Sequence, residues 1–226
     1  MKRITLLLTI LFCIHGYALV PSKKMMELES ICLQLRDGII NGSDREVIQG
    51  CARLKAFQSK NAFVEGESAL KIVAGSDNLV STDGHILYIP QYFEAKLHQT
   101  DGVFLMGERL KDEWEKLHES ASRSTSGYVF RQCNFAMKAN TSVVYEIDVP
   151  KGPIDIMVIA EPNALVTMKI FDVTNNVYLN KPEDLVDEKE GRASRRRTMR
   201  FDSPCRLHLS IYNTSDKDAS MALFVF

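Results

Sequence analysis

The chain has 226 residues, 45% of them hydrophobic and 25% charged, with 28 Lys and Arg against 29 Asp and Glu. A net charge of −1 leaves no broad basic face for nucleic acid and no general attraction to anionic membranes. The apolar fraction suffices for a packed core, so intrinsic disorder is not the expectation.

Lys2 and Arg3 open the chain as a short basic region, followed over 4–14 by an almost unbroken apolar run of 11 residues. Gly16-Tyr17-Ala18 then puts small residues at the −3 and −1 positions, which predicts a signal peptide over 1–18 cleaved after Ala18. The run is well short of the roughly 20 residues that a membrane span needs. Bulky Phe12 ahead of Cys13 departs from a lipobox, so the expected product is secreted or periplasmic and not a lipoprotein. Cleavage would remove two basic residues and no acidic one, leaving 26 basic against 29 acidic. No later segment is apolar for long enough to span a bilayer.

The remainder divides into a mainly helical segment, 19–124, and a β-rich one, 125–226. Over 22–40 the residues Met25, Leu28, Ile31, Cys32, Leu35 and Ile39 recur at three- and four-residue steps, one face of an amphipathic helix. Asn41-Gly42 ends it, and Ser43 with Glu46 forms a capping-box pattern opening a second helix lined by Val47, Ile48, Cys51, Leu54 and Phe57. A third helix is expected over 62–73, on Phe63, Leu70 and Val73. Turn clusters at 76–78 and 82–84 frame a small hairpin of 79–80 with 85–89. A further helix over 103–119 carries Leu105, Leu110, Trp114 and Leu117, and the small polar residues 120–127 read as a linker.

After Gly127 the pattern turns to period-two alternation and β-branched residues. Strands are expected over 128–137, 142–149, 154–160, 165–173, 197–201, 206–212 and 219–226. Turns at this spacing predict an α+β chain ending in an antiparallel, jelly-roll-like β-sandwich. Leu207, Leu209 and Ile211 alternate with Arg206, His208 and Ser210, so one face of that strand is core and the other wet. Segment 183–197 interrupts the β pattern, acidic first and basic afterwards, and reads as a solvated loop. Its functional reading is a docking site for an acidic partner through Arg195, Arg196 and Arg197.

Cys32, Cys51, Cys133 and Cys205 survive processing, an even number in an exported chain, which suggests disulfides with three possible connectivities. Local spacing favours 32–51 and 133–205. The alternative is buried thiols acting as small hydrophobes.

The run from Val143 through Asp148-Val149-Pro150-Lys151-Gly152, then 165–172 and 207–226, resembles bacterial pre-peptidase C-terminal-type β-sandwiches. In those domains a strand ending in a Pro-Gly turn precedes a strand ending in Asp. A late strand of apolar residues alternating up to an Asn, here Leu207, Leu209, Ile211 and Asn213, leads into the closing strand. Eukaryotic GOLD-type sandwiches share the cadence. The resemblance covers about the last 90 residues and implies an accessory, non-catalytic module. The family's Asp-x-Asp-Leu stretch is represented only by Asp155-Ile156-Met157, so a calcium site is not carried over.

Catalytic motifs are sparse. There is no Gly-x-Ser-x-Gly elbow, P-loop, dinucleotide glycine pattern or Cys-x-x-Cys, so no cofactor or metal is expected. The histidines His85, His98, His118 and His208 form no ligand pair; Glu115-x-x-His118 stands alone, and Asp83-Gly84-His85 is explained by a turn. Asn41, Asn140 and Asn213 head Asn-x-Ser patterns at expected turns. Exposed aromatic candidates for ligand contact are Tyr88, Tyr92 and Phe93 around Pro90. The reading is an exported, non-catalytic binding or interaction protein with a protein or carbohydrate ligand and no nucleic-acid partner. The alternative is a secreted hydrolase whose active site is assembled from distant residues.

Overall fold

The computed structural model describes residues 22–65, 70–81, 129–180 and 191–226. The signal segment, the helix expected over 103–119 and the linker 120–127 lie outside the described residues. Two helices come first, α1 (Lys23–Ile40) and α2 (Asp44–Lys60). Ser22 caps α1, its Oγ accepting from the Met25 amide at 3.1 Å, and Ser43 caps α2 by accepting from Glu46 at 3.4 Å. Between them Gly42 takes the left-handed backbone (φ 62°) that a side chain disfavours. Gly50 lets the helices close up, since a Cβ there would lie 2.7 Å from Leu35 Cδ2.

The strands are β1 (Ala62–Glu65), β2 (Lys71–Ala74), β3 (Leu79–Val80), β4 (Val129–Met137), β5 (Ser142–Val149), β6 (Gly152–Ala160), β7 (Val166–Asp172), β8 (Val177–Tyr178), β9 (Ser194–Phe201), β10 (Cys205–Asn213) and β11 (Ala219–Val225). One sheet, the inner, runs β1-β4-β11-β6-β9 with β3 also on β4; the other, the outer, runs β2-β5-β10-β7-β8. Between β4 and β11 the chain changes sheet at every step except β7 to β8, the two-Greek-key order of a jelly roll. All pairings are antiparallel except β1 with β4.

Expectation and structure part over 62–73. Two short strands replace the third helix, pairing with β4 and β5. Phe63-Val64 and Ile72-Val73 are β-favouring pairs, the apolar spacing between them is sparse, and Gly66 weakens a helix. The backbone edges of β4 and β5 offered hydrogen bonds that an isolated turn of helix could not match. Strand β9 likewise begins at Ser194, so Arg195 to Arg197 belong to a strand and not to the solvated loop expected there.

Two cores follow from the period of two. Facing each other between the sheets are Phe135, Ile156, Val158 and Leu223 of the inner sheet and Val143, Ile147, Ile170, Leu207, Leu209 and Ile211 of the outer. The other side of the inner sheet is also dry: Phe130, Met157, Ile159, Ala222 and Phe224 pack under Met25, Leu28, Ile31, Leu35, Leu54 and Phe57 of the helices. A strand buried on both faces needs apolar residues without alternation, which explains Ile156-Met157-Val158-Ile159 and Ala222-Leu223-Phe224-Val225. Phe130 stacks on Phe226 at 4.4 Å and meets Phe57 edge-on at 5.4 Å.

Polar ties fix the helices to the sheet. Asp155, buried within the strand, accepts from the Ser22 amide at 3.1 Å and from the Thr198 hydroxyl. Glu29 of α1 takes Ser194 Oγ at 2.7 Å and pairs with Arg196, while Arg36 donates to the Ala164 carbonyl at 3.0 Å. The fully buried Asn213 donates from Nδ2 to the carbonyls of Met137, Lys138 and Lys217, and its Oδ1 accepts from Ser215. That amide locks the β4–β5 and β10–β11 turns together and leaves no room for a glycan on it. No helix among the described residues is long and apolar enough to cross a membrane.

Candidate functional site

The aromatic candidates Tyr88, Tyr92 and Phe93, and His85, His98 and His118, lie outside the described residues. Arg195, Arg196 and Arg197 sit half-buried on β9 at the margin of the inner sheet. Alternation sends Arg196 toward the helices, where Glu29 holds it, and Arg197 donates to the Arg196 carbonyl at 2.9 Å.

The cysteine expectation is corrected: no disulfide joins Cys32, Cys51, Cys133 and Cys205, and all four are buried thiols. Cys32 and Cys51 belong to the helix–sheet core, Cys133 and Cys205 to the core between the sheets, where each serves as a small hydrophobe. Burial, and then the charge of Glu29, pushes the Cys32 thiol well up. Burial and then Asp172 push Cys205 up to about 11, so neither is an activated nucleophile.

What remains is the face of the outer sheet that no described element covers. Register lines its outward side chains into rows across the strands. Lys71, Glu146, His208, Phe171 and Tyr178 form one row spanning all five strands. Next come Val144, Ser210 and Lys169, then Ser142, Tyr212 and Thr167. The row of five changes character along its length. At one end Glu146 accepts from or pairs with His208 at 3.1 Å and with Arg206 and Lys71 at 3.8 Å each, and Arg206 also binds Asp148 at 2.9 Å. The hydrogen bond to Asp148, and then the charges of Asp148 and Glu146, hold the Arg206 guanidinium above its ordinary value. At the other end Phe171 and Tyr178 form a tilted aromatic pair at 4.9 Å, with Tyr178 60% exposed.

Beside that aromatic end lies a depression of about 600 Å³, floored by Ser142, Thr167 and Ser210 and flanked by Tyr178, Tyr212 and Lys169. Its size is in the range of small-molecule sites, about 300–1,000 Å³. No carboxylate, imidazole or thiol among the described residues lines it. Among the described residues no group of three or more His, Cys, Asp or Glu is placed to hold a metal. The described residues of this lining can hydrogen-bond and stack. In the sequence only the wet face of β10 pointed toward it.

No protein-family model matches the chain, and no curated protein matches it. Among solved structures it is similar to a family GH115 4-O-methyl-α-glucuronidase with specificity for decorated arabinogalactans, at TM-score 0.27 and 10% identity over 41% of this chain and 14% of that one. It is also similar to the enzymatically active domain of tailspike protein 4 of bacteriophage CBA120, at TM-score 0.26 and 8% identity over 41% of this chain and 15% of that one. The chain thus spans a small fraction of either protein's length, and likenesses at these scores carry no argument about function.

Proposed function

We propose that this is an exported, non-catalytic binding protein whose ligand sits on the open face of the outer sheet. The expected signal at 1–18 puts it in a secreted or periplasmic setting, in the accessory role that the pre-peptidase resemblance implies. The observation that carries the reading is the contrast between the two sheets. The inner sheet spends its second face on the helices, while the outer sheet exposes a tyrosine-flanked, hydroxyl-floored depression. A face kept only for solubility would be expected to scatter charges of both signs. Here the charges of the described rows, Lys169 apart, gather at one end of the face, in the Lys71, Glu146, His208, Arg206 and Asp148 network.

The hydrolase alternative has one observation in its favour, the contact between Glu146 and His208. A carboxylate orienting an imidazole is part of a nucleophilic triad, but the third member, a Ser or Cys hydrogen-bonded to that imidazole, has no counterpart among the described residues. Glu146 is shared with two cations as well. Binding is therefore the better-supported function.

Ser210→Trp tests it, because Ser210 points outward from β10 and the indole would fill the depression without touching the core. Wild type and variant are screened in parallel for retention of immobilised polysaccharides and of a displayed peptide library. Retention by the wild type that Ser210→Trp abolishes supports the proposal. Retention that survives in Ser210→Trp, or turnover of ester or glycoside substrates that is lost in His208→Ala, overturns it.

A further inference from the structure

We infer that the occupant of this depression is a glycan chain, with Tyr178 and Tyr212 covering its sugar rings and Ser142, Thr167 and Ser210 meeting its hydroxyls. The inference rests on the open-sheet reading and names its ligand.

Two independent observations carry it. The first is an unspent hydroxyl. Thr167 is only 8% exposed, lines the depression, and faces away from the core between the sheets, because its neighbours Val166 and Met168 take the inward positions. Its cross-strand partner is Tyr212. Among the described residues the fold gives the Thr167 hydroxyl no hydrogen bond, and the hydroxyls of Ser142, Ser210 and Tyr212 beside it have none either. Those four hydroxyls open to solvent, and beside them Thr214 Oγ1, which also lines the depression, is buried with no hydrogen-bond partner among the described residues; such a group is costly and ordinarily satisfied. Four accessible hydroxyls around one orphaned by burial are the lining a polyhydroxylated ligand needs.

The second observation is the pairing of that floor with aromatic walls. A pyranose ring has a face of C–H groups and a rim of hydroxyls, so it needs a flat apolar surface and dense hydrogen bonding at once. Tyr178, steadied by Phe171, and Tyr212 supply the first, and the serines and threonine the second. Other ligand classes fit less well. A nucleic acid needs a stripe of Lys and Arg, whereas among the described residues lining the depression the one cation is Lys169. A protein interface wants an apolar centre with a polar rim, and here the centre is polar. A lipid chain would require an apolar slot.

The experiment titrates the full exported chain with cello-, xylo-, manno-, laminari- and chitohexaose by isothermal calorimetry. At least one series is expected to bind saturably. Tyr178→Ala and Tyr212→Ala should each weaken it by about tenfold, a loss of about 1.4 kcal/mol. Thr167→Val keeps the shape, removes the hydroxyl and should cost roughly fivefold, a hydrogen bond's worth. Glu27→Ala, on the exposed side of α1, should change nothing. Circular dichroism and melting temperature confirm that each variant is folded. Binding untouched by both tyrosine substitutions overturns the inference. So does failure of every hexaose: if displayed peptides then bind and Ser210→Trp abolishes them, the open-sheet reading survives without its glycan, and if nothing binds this face both readings fall.

Discussion

Phe130 joins both halves of the chain, and its truncation measures how firmly the helices are built onto the sandwich. The ring is fully buried, stacked on Phe226 at 4.4 Å with 13° between planes, and edge-on to Phe57 of α2 at 5.4 Å and 64°. Replacing a buried Phe by Ala costs about 3–5 kcal/mol, from lost transfer energy and the cavity left behind. For a chain of this size that is a fall in melting temperature of roughly 6–20 °C. Phe130→Leu retains much of the burial and gives up two ring contacts worth about 0.5–1.5 kcal/mol each, so it should lose roughly 1–3 kcal/mol. Urea unfolding followed by circular dichroism gives the stabilities, and hydrogen exchange over Lys23–Ile40 and Asp44–Lys60 shows whether the helices loosen first. The exposed control Glu27→Ala should stay within about 0.5 kcal/mol of the parent. If Phe130→Ala costs no more than that control, the helix–sheet core described above is wrong.

Three further outcomes follow from particular contacts. Glu29→Ala should cost about 1.5–3 kcal/mol in urea unfolding by stranding Arg196, and adding Arg196→Met should recover part of it; strictly additive losses would mean that the pair does not interact. Asn213→Asp replaces the amide donor aimed at three carbonyls with an oxygen and should destabilise by about 3 kcal/mol at neutral pH, whereas a neutral result would remove Asn213 from the turn lock. Cys205 has its thiol raised in the folded state to about 11 from an ordinary value near 9. Between those values the unfolded chain has already released that proton and the native state has not, so this contribution to stability is present below pH 9 and is lost as pH rises toward 11. Denaturation midpoints measured from pH 8 to 11 should therefore fall less steeply in Cys205→Ala than in the parent, and parallel slopes would refute the shift.

Much of the architecture was legible because it is local. The Ser43 cap, the Asn41-Gly42 stop and the apolar stripes of α1 and α2 lie within a few residues of one another, as do the turns bounding β5, β7 and β10. The misreading of 62–73 arose where the deciding partner was distant: β1 and β2 exist because β4 and β5 provide edges for them. Arg196 was hidden in the same way. A basic run beside an acidic one looks solvated, yet its carboxylate is Glu29, 167 residues away in sequence. The evenness of the cysteine count suggested bridges, whereas each thiol is one more apolar position in a core. The depression was least legible of all. Ser142, Thr167, Tyr178, Ser210 and Tyr212 come from four strands, and only the register of those strands puts their hydroxyls and rings side by side.

The most direct test of the open-sheet account is a chemical-shift map of the protein with and without a saturating hexaose. The account predicts the largest changes at Tyr178, Ser210, Tyr212 and Thr167, with the helix residues Lys23–Ile40 and Asp44–Lys60 unmoved. Shifts concentrated on the helices, or spread without preference over both sheets, would contradict it.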